Sequence, residues 1–353
     1  MKRLGDELEK LARKALDSCL SRVPFLTKIE DIRAKPSRDG AMPDFLINIA
    51  LPGGEKYLVV EIKENGQPRL AREAVNRILR YRALFPHSYG VFLAPYISPT
   101  AGEICRQDGI GYLDLAGNCY LCFDGIYIEQ EGRPNPFKEK RDLRSLYSPK
   151  AERILRVLLN SPGKVRKVQE LAEEAKVSVG QVFNVKKQLL NREWIQVNKS
   201  GFFLNEPEQL LKEWEENYSF RRNEIVDFYS LKGITEAETA LVEYCNRKKL
   251  KYAFTGFSGV ARLAPAVRYQ RVMTYLEGLD EEVVSELGLK KVDSGANVSL
   301  FIPYDDGVFY GAREVNRGQV ASPVQIYLDV RNFRGRGEEA AQVLLEQVIR
   351  PAW

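Results

Sequence analysis

The residues of this sequence best suited to chemistry lie in "MPDFLINIALPGGEKYLVVEIKENG" (42–66), where two apolar runs carry two carboxylates and a lysine. Each run alternates as a β-strand does, and "PGGEK" between them has the composition of a hairpin turn. With the turn centred on its two glycines, antiparallel pairing sets Asp44 opposite Lys63, with Glu61 diagonal to both. Period-two alternation then predicts all three side chains on one face of the hairpin.

Two neighbouring carboxylates repel each other unless a cation lies between them, which is typical of a site for a hard divalent metal ion. A lysine beside such a site can orient a water molecule or stabilise developing negative charge. If the site is active, the predicted catalytic residues are Asp44, Glu61 and Lys63 and the predicted cofactor is Mg²⁺ or Mn²⁺; if it is not, no cofactor is expected. The alternative is an ordinary ion pair between Asp44 and Lys63, with Glu61 a solvated residue.

The histidine and cysteine content limits the kinds of metal site and catalysis that this sequence could support. The sequence has a single histidine, His87, which argues against zinc fingers and metalloproteases that need two. Cys119 and Cys122 have the spacing of a metal-ligand pair, but they lie in a strand-like segment, where residues three apart face opposite ways. We predict buried or edge thiols there, so that any chemistry depends on carboxylates and lysine.

The positive charge is concentrated in one segment. The net charge is +5, yet residues 132–167 alone hold eleven Lys or Arg against three acidic residues. This pattern favours a region that binds a polyanion. The alternative is a solvated linker followed by a basic helix.

Residues 148–204 predict a helix, a short helix, a tight turn, a third helix and a two-stranded hairpin. Ser178 is the predicted N-cap of the third helix, whose positions 182, 185 and 189 are apolar. "VQELAEEAKVSVGQVFNVKKQLLNREWIQV" resembles the winged helix-turn-helix superfamily, which implies that the third helix enters the major groove of DNA. The alternative is a winged helix used only for dimerisation or docking.

The predicted DNA contacts are polar and basic side chains on the outer side of this segment and on the helix after the first hairpin. They are Arg166, Lys167, Ser178, Gln181, Asn184, Lys187, Gln188, Lys199, Arg77 and Arg80.

Pro43-Asp44 and Glu61-Ile62-Lys63 resemble the two elements of the PD-(D/E)XK nuclease superfamily. The resemblance implies that the two acidic residues bind the metal, that the lysine assists catalysis, and that a glutamate on the first helix, for which Glu7 is the weaker match, adds a ligand. The hairpin is followed by a predicted helix, strand, helix and strand pair between residues 69 and 129. This order is similar to the α/β layout of that nuclease core.

Three stretches resemble the AbiEi-type antitoxin and transcriptional regulator family of type IV toxin-antitoxin modules. They are "GIGYLDLAGNCYLCF" (109–123), "YAFTGFSGVARLAP" (252–265) and "SPVQIYLDVRNFRGRGEEAAQVLL" (322–345). The resemblance implies DNA binding, autoregulation of an operon and neutralisation of a nucleotidyltransferase-type toxin. AbiEi antitoxins carry their winged helix at the N-terminus, whereas this sequence places an α/β segment first.

The predicted fold is α/β plus α+β. Within the last third, strands are expected at 298–304, 307–312 and 324–330, before a closing helix. The predicted organisation is a PD-(D/E)XK nuclease-like domain at 1–131, a basic linker at 132–148, a winged helix at 149–205, a connecting helix at 206–232 and an α+β domain for partner binding or dimerisation at 233–353.

The function expected from these patterns is DNA binding by a transcriptional regulator of the antitoxin type. The first alternative is a Mg²⁺-dependent DNA endonuclease directed to its target by the winged helix, and the second is a protein-interaction scaffold. Because no run of eighteen apolar residues occurs, we expect a cytoplasmic protein without a membrane partner. The expected partners are double-stranded DNA, a second copy in a homodimer and a toxin.

Overall fold

The structure is a computed structural model that describes residues 2–32, 42–137, 146–264, 268–333 and 335–353. The chain divides into two compact units. The first is Met1–Lys140 with Leu190–Glu193, and the second is Arg141–Leu189 with Trp194–Trp353. The chain is therefore a mixed α/β protein with a main sheet in each unit.

The described part of the first unit contains one sheet of seven strands that follow the order of the chain, β1-β2-β3-β4-β5-β6-β7. Strands β3, β4 and β5 run parallel, and antiparallel pairs flank them on both sides. The elements are α1 (Lys2–Leu20), β1 (Thr27–Ile32), β2 (Phe45–Leu51), β3 (Gly54–Ile62), α2 (Pro68–Leu84), β4 (Ser88–Ala94), α3 (Pro99–Gln107), β5 (Gly111–Asp114), β6 (Cys119–Phe123) and β7 (Ile126–Gln130).

Helices cover both faces of this sheet. On one face, Ile47 and Leu58 pack against Leu16 of α1 in one apolar core. On the other face, α2 and α3 pack against the sheet, as Ile78 does against Phe92. The alternation along β2 and β3 puts odd positions of β2 and even positions of β3 toward α1, so the remaining positions lie on the side of α2.

The described part of the second unit contains a second seven-stranded sheet, of order β13-β10-β14-β12-β11-β16-β15, and the hairpin β8-β9. Its elements are α4 (Pro149–Asn160), α5 (Val168–Ala175), α6 (Val179–Asn191), β8 (Ile195–Asn198), β9 (Gly201–Leu204), α7 (Pro207–Asn217), β10 (Glu224–Tyr229), α8 (Ile234–Lys248), β11 (Tyr252–Phe254), α9 (Gly256–Leu263), β12 (Val272–Leu276), α10 (Glu281–Glu286), β13 (Lys290–Lys291), β14 (Val298–Ile302), β15 (Arg313–Val315), β16 (Gly318–Val320), α11 (Pro323–Arg331) and α12 (Arg336–Leu344).

Three expectations for this unit were wrong. The connecting helix predicted to reach residue 232 ends at Asn217, because residues 224–229 form a strand, of which 224–228 pair with β14. Residues 306–309 form a 3-10 turn instead of part of a strand. Residues 324–330 form helix α11, whose N-cap Ser322 accepts a hydrogen bond from the Gln325 amide.

Among the described residues, none of the helices combines the length and the apolar character that crossing a membrane would need.

Candidate functional site

The register of the first hairpin decides which side chains meet. The ladder pairs Leu51 with Gly54, which centres the turn one residue earlier than predicted. Continuing this ladder sets Asp44 opposite Glu61, so the predicted pairing of Asp44 with Lys63 was wrong by two positions. The tighter turn is accommodated by Gly54, whose φ of 123° lies in a region that favours glycine. Because a shift of two residues preserves the alternation, the three side chains still share one face.

Glu61 is buried, with 2% of its surface exposed, and its two carboxylate oxygens differ in their partners. Oε1 accepts hydrogen bonds from Lys63 Nζ at 3.0 Å and from Arg77 Nη1 at 2.9 Å. The same two cations also contact Glu73 Oε1, at 3.2 and 3.3 Å. Oε2 of Glu61 is buried and has no hydrogen-bond partner among the described residues. Glu61 therefore keeps one oxygen available to a further ligand.

Asp44 lies at the surface beside this buried carboxylate. Its Oδ2 accepts a hydrogen bond from the backbone amide of Ile62 at 2.6 Å. Desolvation raises the pKa of Asp44, although that hydrogen bond and the charges of Lys63 and Arg77 act in the opposite direction. Desolvation also raises the pKa of Glu61 against its bond from Lys63, and the charge of Asp44 adds to the increase. A cation next to both carboxylates would relieve this electrostatic cost.

The donor set fits Mg²⁺ or Mn²⁺ in part. The unpaired oxygen of Glu61 and the Asp44 carboxylate are hard oxygen ligands, and Mg²⁺ commonly binds one or two protein carboxylates while it retains several waters. Glu7, the predicted third ligand, is exposed on α1, and no hydrogen bond or ion pair between described residues connects it to the other two. Within the described ranges, no cluster of three or more His, Cys, Asp or Glu side chains could hold a metal. The site therefore offers two ligands.

Arg77 and Tyr81 of α2 belong to this site in ways that the sequence analysis missed. Arg77 was predicted to contact DNA, yet its guanidinium donates a hydrogen bond to the carboxylate of Glu61. Tyr81 is buried one helical turn later, and its hydroxyl donates to the Met42 carbonyl at 2.9 Å, just before the strand that carries Asp44. The spacing of four residues on a helix was the available signal, since it puts both side chains on one face. Arg80 is exposed.

Helix α6 exposes the predicted polar side chains because its apolar stripe is buried. Val182, Val185 and Leu189 lie in the core, so Asn184 and Lys187 point outward and are exposed. The predicted N-cap of α6 is supported by a hydrogen bond from the Gln181 amide to Ser178 Oγ at 3.2 Å, and Ser178 itself is exposed. Lys167 and Lys199 are exposed, whereas Gln181 and Gln188 are partly buried.

The prediction that Arg166 contacts DNA was wrong. Only 1% of this residue is exposed. Its guanidinium donates to Glu174 at 2.9 Å and to the Ser161 carbonyl at 3.1 Å, and its backbone pairs with Phe202 of β9. Partial burial acts to raise the pKa of Glu174, but the bonds from Arg166 and Tyr310 outweigh it and hold that pKa below its ordinary value. Arg166 therefore fastens the hairpin to α5.

A buried polar network joins α4 to the later part of the second unit. Arg156 is fully buried, and its Nε donates to Gln325 Oε1 of α11 at 2.9 Å. Glu152, one turn earlier and also fully buried, accepts from Arg222 Nη1 at 2.6 Å and from the Tyr304 hydroxyl. Buried charges are tolerated where an opposite charge compensates them, as Glu152 Oε2 does for Arg156 Nη1 at 3.7 Å, although Nη1 and Nη2 of Arg156 have no hydrogen-bond partner among the described residues. Helix α4 is therefore bound to later elements of the same unit by charged and polar groups as well as by apolar packing.

The cysteine pair is not a metal site. Cys119 is buried against α1, whereas Cys122 is exposed on the other face of β6. The opposite orientation follows from the odd spacing along a strand, as predicted.

Comparisons with known proteins give one family match and weak structural likenesses. No curated protein matches the sequence. A crystal structure of a repair endonuclease from Pyrococcus abyssi has 14% identity and a TM-score of 0.21, covering 29% of this chain and 46% of that chain. An EndoMS complex with double-stranded DNA has 13% identity and a TM-score of 0.21, covering 29% of this chain and 43% of that chain. The chain thus spans less than half the length of these structures, and likenesses at such scores carry no argument.

The family model that matches is described as "Transcriptional regulator, AbiEi antitoxin, Type IV TA system", and it covers residues 203–350. This range begins within β9 and continues into the turn that follows α12. Two of the three stretches that suggested the family, 252–265 and 322–345, lie inside it. Residues 203–350 are therefore similar to the AbiEi-type antitoxin and transcriptional regulator family, in agreement with the resemblance seen in the sequence.

Proposed function

We propose that this protein is a DNA-binding transcriptional regulator of the antitoxin type, in which residues 149–205 act as a winged helix. The observation that carries the proposal is the polar and cationic outer side of α6, beside a hairpin with an exposed Lys199. Helix α6 would lie in the major groove, with Asn184 toward base edges and Lys187 toward phosphates. The match of residues 203–350 to a transcriptional regulator family supports the same function.

A gel-shift titration of duplex DNA at several salt concentrations tests this proposal. We expect affinity to fall steeply with salt, because phosphate contacts release counterions, and Lys187→Ala to weaken binding of all sequences and to reduce the salt slope by about 1. Asn184→Ala is expected to change sequence preference. Lys232→Ala, which removes an exposed lysine from the loop after β10, is the matched control. Binding that is absent, or that Lys187→Ala leaves unchanged, would contradict the proposal and favour a docking module or scaffold.

The unpaired oxygen of Glu61 supports a second candidate function, that of a Mg²⁺-dependent DNA endonuclease of the PD-(D/E)XK type. A bound metal would polarise a phosphate and lower the pKa of a coordinated water. Asp44 and Glu61 would hold that metal. Lys63 would place positive charge beside the scissile phosphate, and Arg77 would keep the Glu61 carboxylate in its orientation.

Incubation of the protein with plasmid and linear DNA in Mg²⁺ or Mn²⁺ tests the second function. We expect cleavage by the wild type and none by Asp44→Ala or Lys63→Ala, because each lacks one part of the site. Glu7→Ala should cleave at the wild-type rate, since this side chain is exposed and unconnected to the other carboxylates in the described part of the chain. DNA binding without any cleavage would be consistent with the regulator function and would refute the nuclease function.

We also propose that residues 203–350 bind a toxin of the nucleotidyltransferase type and that the protein acts as a homodimer, in keeping with the family match. Light scattering of the purified protein gives its mass in solution, and co-purification with the product of an adjacent gene tests the toxin. A monomer that retains no such product would contradict both statements.

A further inference from the structure

Helix α6 exposes two apolar side chains that the proposed polar contacts do not explain. Val179 is 44% exposed and Phe183 is 56% exposed, one helical turn apart. The apolar stripe that packs α6 into the core is a different set of residues, beginning with Val182. Adjacent exposed apolar side chains form a patch, and an apolar patch rimmed by polar residues can mark an interaction site.

Gly180 lies between these two side chains, at a position where the described residues leave room for a larger side chain. A Cβ atom added there would meet nothing closer than Ser178 Oγ at 4.0 Å, and its φ is not in the left-handed region. Neither packing nor backbone conformation therefore requires glycine, although glycine inside a helix costs about 1 kcal/mol relative to alanine. A glycine of this kind is useful where the surface of a ligand must approach the helix backbone closely.

The surroundings of this apolar pair identify the class of ligand. Lys187 follows Phe183 by one turn and is exposed, and Lys176 is exposed just before the helix begins. Asn184 lies on the same outer side. An apolar contact inside a cationic and amide-bearing surface complements duplex DNA, whose phosphates are anionic and whose major groove presents one apolar group, the C5-methyl of thymine.

We infer that Gly180 and Phe183 belong, with Asn184, to the base-contacting surface of α6, and that Phe183 determines specificity by packing on thymine methyl groups. This inference rests on the proposed DNA binding and extends it to the sequence that is bound. Val179, one turn earlier, extends the apolar contact toward the start of the helix, where the N-terminal residues of recognition helices reach base edges. The target therefore contains thymine at the position facing Phe183.

A double-mutant cycle, with one change in the DNA and one in the protein, tests the thymine contact. Bound duplexes are first selected from a random pool with the wild type, and each thymine of the selected site is then replaced by uracil, which removes only the methyl group. At one position we expect the wild type to lose about four-fold in affinity, from burial of one methyl group. Phe183→Ala is expected to bind more weakly and to make no distinction between thymine and uracil there.

Gly180→Ala tests the close approach. We expect this variant to melt at a higher temperature, because alanine favours the helix, and yet to bind the selected duplex at least ten-fold more weakly. A purely structural role of Gly180 would move the two measurements in the same direction. Gly163→Ala, at a glycine whose added Cβ would also have no neighbour within 4 Å, is the control and should leave the affinity unchanged.

The failure of the inference is distinguishable from the failure of the proposed function. If the wild type binds no duplex from the pool, DNA binding itself is wrong. If it binds but is indifferent to uracil at every position, or if Phe183→Ala shows the same loss as the wild type, only the thymine contact is wrong. A change of mass in solution on Phe183→Ala, with unaltered discrimination, would assign this surface to a second copy of the chain and overturn the inference.

Discussion

Replacement of Glu61 by glutamine separates a metal-binding carboxylate from an ordinary ion pair. In the wild type, desolvation and the charge of Asp44 raise the pKa of Glu61 in spite of its bonds from Lys63 and Arg77. Keeping Glu61 ionised in the folded protein therefore lowers the free energy of unfolding. Glu61→Gln resembles the protonated acid, and Lys63 and Arg77 retain Glu73 as a partner at 3.2 and 3.3 Å. We expect the variant to be more stable than the wild type at neutral pH.

The size of the gain follows from the unpaired oxygen. A buried polar atom without a hydrogen-bond partner costs about 1–3 kcal/mol, and Oε2 of Glu61 is such an atom among the described residues. The amide nitrogen of glutamine in its place is expected to donate to the carboxylate of Asp44, which the strand ladder sets opposite residue 61. Part of that gain is lost because the amide accepts weaker bonds from the two cations than the carboxylate does. We therefore expect an increase of about 1 kcal/mol in the free energy of unfolding at pH 7.

The pH dependence fixes the sign of the effect. An acid whose pKa is raised by folding destabilises the native state as pH rises from the unfolded-state value, near 4.3, to the folded-state value, and the loss persists above it. The advantage of Glu61→Gln should therefore vanish near pH 4 and be complete at pH 7. Urea unfolding followed by circular dichroism at both pH values measures it.

A divalent cation should reverse the order of stability. At one hundred times its dissociation constant, a ligand of the native state adds about 2.7 kcal/mol, which exceeds the gain expected from the substitution. Mn²⁺ should therefore stabilise the wild type at pH 7 and leave Glu61→Gln unchanged. If Glu61→Gln is instead less stable at pH 7 and Mn²⁺ affects neither protein, Glu61 is a structural ion-pair partner and the reasoning is refuted.

Three further outcomes follow from burial in the structure. Glu152→Gln should lower the free energy of unfolding by about 3 kcal/mol, because the buried Arg156 then keeps its charge without a carboxylate; a loss below 1 kcal/mol in urea unfolding would contradict this. Arg166→Ala should lower it by about 2 kcal/mol through lost charged hydrogen bonds, whereas a loss of DNA binding at unchanged melting temperature would restore Arg166 as a DNA contact. Of the five cysteines, Cys122 alone should react rapidly with a thiol reagent in the native protein, because it is exposed and the other four are buried. Rapid reaction of a second thiol, or of the Cys122→Ser variant, would contradict this expectation.

The first hairpin shows what alternation in a sequence determines and what it leaves open. The faces of β2 and β3 were predicted from period two, and Ile47 and Leu58 do lie in the core. The pairing of Asp44 was not determined, because shifting the register by two residues leaves every side chain on its face. The register of the two strands was instead determined by the turn geometry at Gly54.

Helix α11 was mistaken for a strand because burial is complete around it. All residues of 324–330 are buried, so neither a helical stripe nor a strand alternation stands out. The stronger local signal was Ser322 followed by proline, an N-cap and first helical residue. The prediction that Arg166 contacts DNA was wrong because its burial leaves no mark in the sequence. A basic residue in a turn is usually exposed, and the partner Glu174 is too distant in sequence to form a recognisable pattern with Arg166.

Two buried carboxylates of this protein, those of Asp329 and Glu61, differ in whether both of their oxygens have hydrogen-bond partners. Asp329 of α11 is fully buried, and it accepts hydrogen bonds from the hydroxyls of Tyr218 and Tyr275 and from the amide of Gln325. Both of its oxygens are satisfied within the protein, so the network holds the second unit together and has no capacity for a ligand. Glu61 is equally withdrawn from water, but one of its oxygens is left unsatisfied beside a second carboxylate. A fold that needed Glu61 only for its ion pairs would gain stability by satisfying that oxygen, and this is the basis of our proposal that Glu61 binds a metal ion.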